Sequence, residues 1–127
     1  MPVRRTREDG EEFTRLNVTG HVLAEEMHEA LEEFYASEPT KLLLYDMSFA
    51  EVWHITPDMV LDFVRRAARL GARRPGGRTA VVAPGDLQFD LSMMSQAFHA
   101  LESKKVDLRV FRSQEDALSW LTDKVSG

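Results

Sequence analysis

Three short apolar runs constrain this chain more than any other feature: "KLLLYD" at 41–46, "RTAVVAP" at 78–84 and "VDLRVF" at 106–111. The first two read as strands buried on both faces, with Asp46 closing the first. Such strands need cover above and below, and each run precedes a segment with helical spacing. Val60, Phe63, Val64 and Ala67 form an apolar stripe after the first run. Leu87, Leu91, Met94, Phe98 and Leu101 form one after the second, and Ala117, Leu118, Trp120 and Leu121 one after the third.

The ends of these helices are marked. Thr56 is placed to cap the second helix, with Pro57 at its first position and Asp58 in its first turn. Gly71 is placed to stop it. Ser113 and Asp116 have the spacing of a capping box before the last helix. Upstream, "VRRTRE" and "EFTRLNV" flank a "DG" turn signal and read as a hairpin. Met27, Ala30, Leu31 and Phe34 then predict a helix over 24–36, ended by "SEP" because Pro39 disfavours helix at Glu38. The order is β-β-α-β-α-β-α-β-α. It predicts a single α/β domain over 1–127, with a mixed, mostly parallel sheet of about five strands and four helices.

Composition narrows the function. The chain of 127 residues has no cysteine, which removes disulfides, a thiolate nucleophile and cysteine-bound metal. No apolar run approaches the roughly 18 residues of a membrane span, and "MPVRRTREDGEEF" has no apolar core of a secretory signal. The expected location is cytoplasmic, without stable membrane insertion. A net charge of -5 argues against general nucleic-acid binding. Charge is segregated, however. Residues 21–38 carry six acids and no Lys or Arg, and residues 65–78 carry six arginines and no acid. That pattern reads as two solvated helix faces or as a docking surface of opposite signs.

The words "LLLYDMS" (Leu42 to Ser48), "GGRTAVVAPGDLQFDLSMMSQAF" (Gly76 to Phe98) and "LRVFRSQEDALSWL" (Leu108 to Leu121) carry a family resemblance. The chain resembles the STAS-like domains, the fold of bacterial anti-sigma-factor antagonists. It is most similar to the SpoIIAA-like branch of small, mostly uncharacterised bacterial proteins. The resemblance implies a mixed, mostly parallel sheet and no catalytic residues. True antagonists carry an Asp-Ser-Ser-Gly motif, one serine of which is phosphorylated by a kinase-type anti-sigma factor. The corresponding stretch here is His54-Ile55-Thr56-Pro57, so only Thr56 keeps a hydroxyl for a phospho-switch.

Asp46 and Ser48, at the end of the "KLLLYD" strand, stand where open α/β sheets place ligand sites. Trp53 and His54 either pack over the sheet end or line a binding loop. Phe89 and Met93 either fold back on the core or form an adaptable apolar patch, since one helical face cannot bury Leu87, Phe89, Leu91, Met93 and Met94 together. His21 and His28 lack the spacing of paired metal ligands, and "PGG" precedes a strand rather than opening a helix. No metal, cofactor or enzyme activity is expected. The expected function is a non-enzymatic, cytoplasmic STAS-like regulatory or protein-interaction module. It would act through a protein partner or self-association. The alternative is a binding protein for a small apolar ligand or lipid.

Overall fold

The computed structural model describes residues 3–8, 13–36, 39–103 and 105–123. Along the chain run β1 (Val3–Glu8), β2 (Phe13–His21), α1 (Ala24–Ala36), β3 (Leu42–Glu51), α2 (Pro57–Leu70), a 3-10 turn (Gly71–Arg73), β4 (Gly77–Val82), α3 (Asp86–Glu102), β5 (Val106–Phe111) and α4 (Gln114–Leu121). The element order is the expected one. Asp9 and Gly10 of the hairpin turn, and Ser37 and Glu38 of the first helix stop, lie outside the described residues.

The five strands stand in chain order, β1-β2-β3-β4-β5. β1 pairs antiparallel with β2, and the other pairs are parallel. Right-handed crossovers that always step in one direction must lay their helices on one face. α1, α2 and α3 therefore share a face, and among the described residues α4 covers the other. On the three-helix side Leu16, Val18, Leu43, Tyr45 and Val81 pack against Leu31, Phe34 and Tyr35. On the other side Leu44, Ala80 and Val82 pack against Ala117 and Leu121.

β3 is longer than the apolar run that announces it. It passes through Asp46 and continues to Glu51, so Asp46 lies within the strand and not at its end. Beyond Asp46 it pairs only with β2, and the register shifts: Asn17 faces Asp46 but Thr19 faces Phe49. One extra β3 residue is accommodated there, as in a β-bulge. The bulge reverses the parity of the strand. Leu43, Tyr45 and Met47 face the three helices before it, and Ala50 and Val52 face them after it.

Gly71 stops α2 as expected, in a right-handed conformation with φ -61, and the chain tightens into the 3-10 turn. Two other expectations need correction. Leu87 and Leu101, read as core, are exposed, Leu101 at 85%. α3 instead buries Ser92 and His99. The arginine run is not one solvated face, because Arg74 is only 4% exposed.

Arg74 has no acidic partner among its hydrogen bonds, yet all five of its N–H donors are used. Its Nε donates to Thr40 O at 2.9 Å, one terminal nitrogen to the Tyr35 hydroxyl and Thr79 Oγ1 at 3.1 Å each, and the other to Lys41 O at 2.8 Å and Arg78 O at 3.0 Å. The rings of Phe34 and Tyr35 flank it at 5.3 and 5.9 Å. Such a charge is tolerated because each donor replaces a lost water contact. The "PGG" turn makes room for it. Gly76 takes φ 77, and a Cβ on Gly77 would stand 2.9 Å from Arg74 O and Lys41 O.

Arg74→Lys keeps the charge but loses the planar fork, leaving buried acceptors unmet. Unfolding in urea is expected to show a loss of about 3 kcal/mol or more, since each stranded group costs about 1–3 kcal/mol. A midpoint equal to that of the unsubstituted chain would refute this account of the core.

Candidate functional site

The C-terminal ends of β2 and β3 lead into α1 and α2, and the connections there are short. Val22 N donates to Glu51 O at 3.3 Å, tying the ends of the two strands together. A turn follows, closed by Ile55 N donating to Val52 O at 3.0 Å. Val52 points into the core and Trp53, next in the chain, points out at 70% exposure. Trp53 therefore does not pack over the sheet end.

His54 is held from two sides. Its Nε2–H donates to the Val22 carbonyl. The His21 ring stacks on it, with centroids 3.8 Å apart and planes 17° apart. Trp53 meets His54 edge-on at 5.2 Å and His21 at 5.7 Å. With Nε2 donating, neutral His54 presents a bare Nδ1, which is buried without a partner. Thr56 then caps α2, its hydroxyl accepting from Met59 N at 3.3 Å. Gln88 latches the α3 start to this end. Its Oε1 accepts from Gly85 N at 3.0 Å and its Nε2 donates to Ala50 O at 2.7 Å.

The other predicted site residues divide into two further places. Asp46 faces α4, not the Trp53 turn. Its carboxylate accepts from Ser48 N at 3.0 Å and from Gln114 Nε2 at 2.9 Å, and Arg15 approaches within 3.8 Å. Gln114 also accepts from Arg15 at 2.8 Å. Asp46 thus fastens the first residue of α4 to the sheet, and Ser48 completes that arrangement. Phe89 and Met93 border a groove beside β5. Arg112 lies 4.2 Å over the Phe89 ring and pairs with Asp86 at 3.0 Å, so Phe89 is half-covered from outside the core. β3 and β5 are two strand spacings apart, roughly 10 Å, which separates this groove from Trp53. The acidic and basic segments meet each other in part, through Arg66–Glu32 at 3.9 Å, while Arg65 pairs with Glu102 of α3 at 3.5 Å. These pairs are exposed and contribute little.

Five large apolar side chains remain exposed at the Trp53 end: Leu23, Phe49, Trp53, Met59 and Leu87. Phe49 is 76% exposed, because the bulge turns it away from the three helices, to a part of the other face that α4 does not reach. Below them, between the sheet and α1–α3, lies a cavity of about 150 Å³. Burial pushes the phenol of Tyr45, on its wall, far above its ordinary value, with Tyr35 adding to the shift and Arg74 opposing it. The phenol is neutral throughout the physiological range. Among the described residues, no three of His, Cys, Asp or Glu cluster to hold a metal, and no helix is long and apolar enough to cross a membrane.

The sequence did not point to Arg74, the His21–His54 stack or the cavity. One signal was available: Ser92, Ser95 and His99 recur at helical spacing on a face beside the apolar stripe.

Two expectations follow. Thr56→Ala removes the cap and should lower stability by about 0.5–2 kcal/mol in urea unfolding, with the sheet intact. In a Trp120→Phe variant, the remaining Trp53 fluorescence should be fully accessible to acrylamide quenching. A strongly protected signal would contradict its exposure.

No protein-family model matches this sequence, and no curated protein matches it. Solved structures do. An uncharacterised protein of the DUF3478 family from Shewanella loihica, with a SpoIIAA-like fold, is 19% identical with a TM-score of 0.58, over 94% of this chain and 91% of that one. An anti-sigma factor antagonist from Mycobacterium paratuberculosis is 15% identical with a TM-score of 0.57, over 95% of both chains. The likeness is one of fold and spans nearly the whole chain, and the chain has the SpoIIAA-like, STAS-type fold.

Proposed function

We propose that this protein is a non-enzymatic, cytoplasmic regulatory module that acts by binding a protein partner at the strand C-terminal end. The observation that carries this is the group of exposed apolar residues there, Leu23, Phe49, Trp53, Met59 and Leu87. Single exposed apolar residues are ordinary, but a group gathered at one end of a sheet marks an interaction surface. Trp53 is its natural anchor, since Trp is enriched among interface residues that dominate binding. The likeness to an anti-sigma factor antagonist, a protein named for acting on another protein, supports the same reading. Self-association is a variant of it, through this surface or through the Phe89 and Met93 groove.

Thr56 is the phosphorylation position within this proposal. A phosphate there would add about two negative charges at a helix N-terminus, which the helix dipole favours, while displacing the cap. Asp46 and Ser48 take no direct part in the proposed contact, being engaged with α4.

The cavity supports a second reading, carriage of a small apolar ligand. It opens at the same end of the sheet, so the two readings are compatible.

The test of the first reading is a pull-down from the native host, repeated with Trp53→Ala and Phe49→Ser. An anchor residue accounts for about 2 kcal/mol or more, so Trp53→Ala should weaken a captured partner roughly 30-fold. A partner retained equally by both variants would place the contact elsewhere and sink the proposal.

A further inference from the structure

The walls of the interior cavity are mostly aliphatic and aromatic, contributed by α1, α2, α3 and the facing strands. A space of about 150 Å³ is the size of a single aromatic ring, and an apolar cavity of that volume stays dry and takes such a molecule. It reaches the outside. Met59, the exposed residue of its wall, and the half-buried Ala24, Met27 and Ile55 lie at the end of the sheet that carries Trp53. Met59 and Met27 are flexible enough to let a small molecule pass.

Its polar groups restrict the chemistry of an occupant. Arg74 is on the wall, but its five donors are already spent on Thr40, Tyr35, Thr79, Lys41 and Arg78. It has nothing left to offer an anion, so a charged occupant would be desolvated without recompense. His99, also on the wall, is 6% exposed. Its Nε2 lies 2.8 Å from Val106 O. A carbonyl only accepts, so Nε2 carries a proton, and in the neutral ring Nδ1 is a bare acceptor. That Nδ1 is buried with no partner among the described residues. His28, at the outer part of the wall, repeats the pattern, with Nε2 directed at Asp62 at 3.4 Å and Nδ1 buried and unpaired. A buried acceptor without a donor is rare, and a donor brought by a ligand would satisfy it.

We propose that the cavity binds a small neutral molecule of about one aromatic ring, carrying an O–H or N–H that donates to His99 Nδ1. This rests on the apolar-ligand reading and names the polar group that reading leaves open. The apolar body would fill the space among Leu31, Val64, Leu91 and Val81, and the donor would meet the histidine.

The test uses phenol and toluene as probes on the whole chain, followed by methyl NMR of the cavity wall and by calorimetry. Both should shift the methyls of Leu31, Val64 and Leu91, and Ala67→Phe, which fills the space, should abolish both responses. Phenol, but not toluene, should move the Nδ1 signal of His99 in nitrogen NMR. In His99→Leu the ratio of phenol to toluene affinity should fall about fivefold, the worth of one hydrogen bond. If His99→Leu does not fold, the Nδ1 signal in the unaltered chain decides. Binding of both probes with an unmoved Nδ1 signal and an unchanged ratio would overturn the donor assignment and leave the apolar-ligand reading standing. Binding that survives Ala67→Phe, or no response to either probe, would overturn both.

Discussion

Arg74 ties together parts of the chain that lie far apart in sequence. It reaches backbone oxygens of Thr40 and Lys41 before β3 and of Arg78 in β4, and the hydroxyls of Tyr35 in α1 and Thr79 in β4. A guanidinium without a carboxylate is an expensive thing to bury, and it persists only where every donor finds an acceptor. That requirement fixes the neighbours. Lys41 O and Thr40 O must turn inward, Gly77 must have no side chain, and the Tyr35 hydroxyl must reach the far side of the core. One satisfied cation therefore sets the relation of α1 to β3 and β4. It also closes one wall of the cavity to anions.

The opposite end of the sheet is governed by a different constraint. Strands that step one way with right-handed crossovers place three helices on one face and leave the other to α4. α4 is eight residues long and covers mainly β4 and β5. The upper part of β3 is left open on that side. The bulge at 47–48 keeps Ala50 and Val52 in the three-helix core and sends Phe49 outward. Exposed apolar surface and the cavity mouth thus arise from one topology at one end of the molecule. A ligand entering there would pass beside the residues proposed to meet a partner.

Much of the architecture was legible in local pattern. "KLLL" and "TAVV" read as strands covered on both faces, and Thr56-Pro57-Asp58 and Ser113 carried their helix starts in their own chemistry. The far end of β3 was not legible, because a bulge breaks the two-residue period that identifies a strand. The inward face of α3 was misread for a related reason. Hydropathy ranks Leu87 and Leu101 above Ser92 and His99, yet the position of α3 against the sheet turned the serine and histidine inward. Of the candidate residues, Trp53, His54 and Thr56 lie together in one turn and helix start. The sheet puts Asp46 and Ser48 beside α4 and Phe89 and Met93 at the β5 edge, a division set by strand pairing that no local pattern carries.

By itself the sequence determined the elements, their order and the parallel sheet, because apolar periodicity and helix caps act over a few residues and are written in consecutive positions. Only the tertiary structure decided that Arg74 is core, that His21 stacks on His54 and that His99 Nδ1 lies buried beside a cavity. Those outcomes depend on which distant groups supply an acceptor, a ring or nothing at all, and that is set by packing across the sheet and not by any neighbour in the chain.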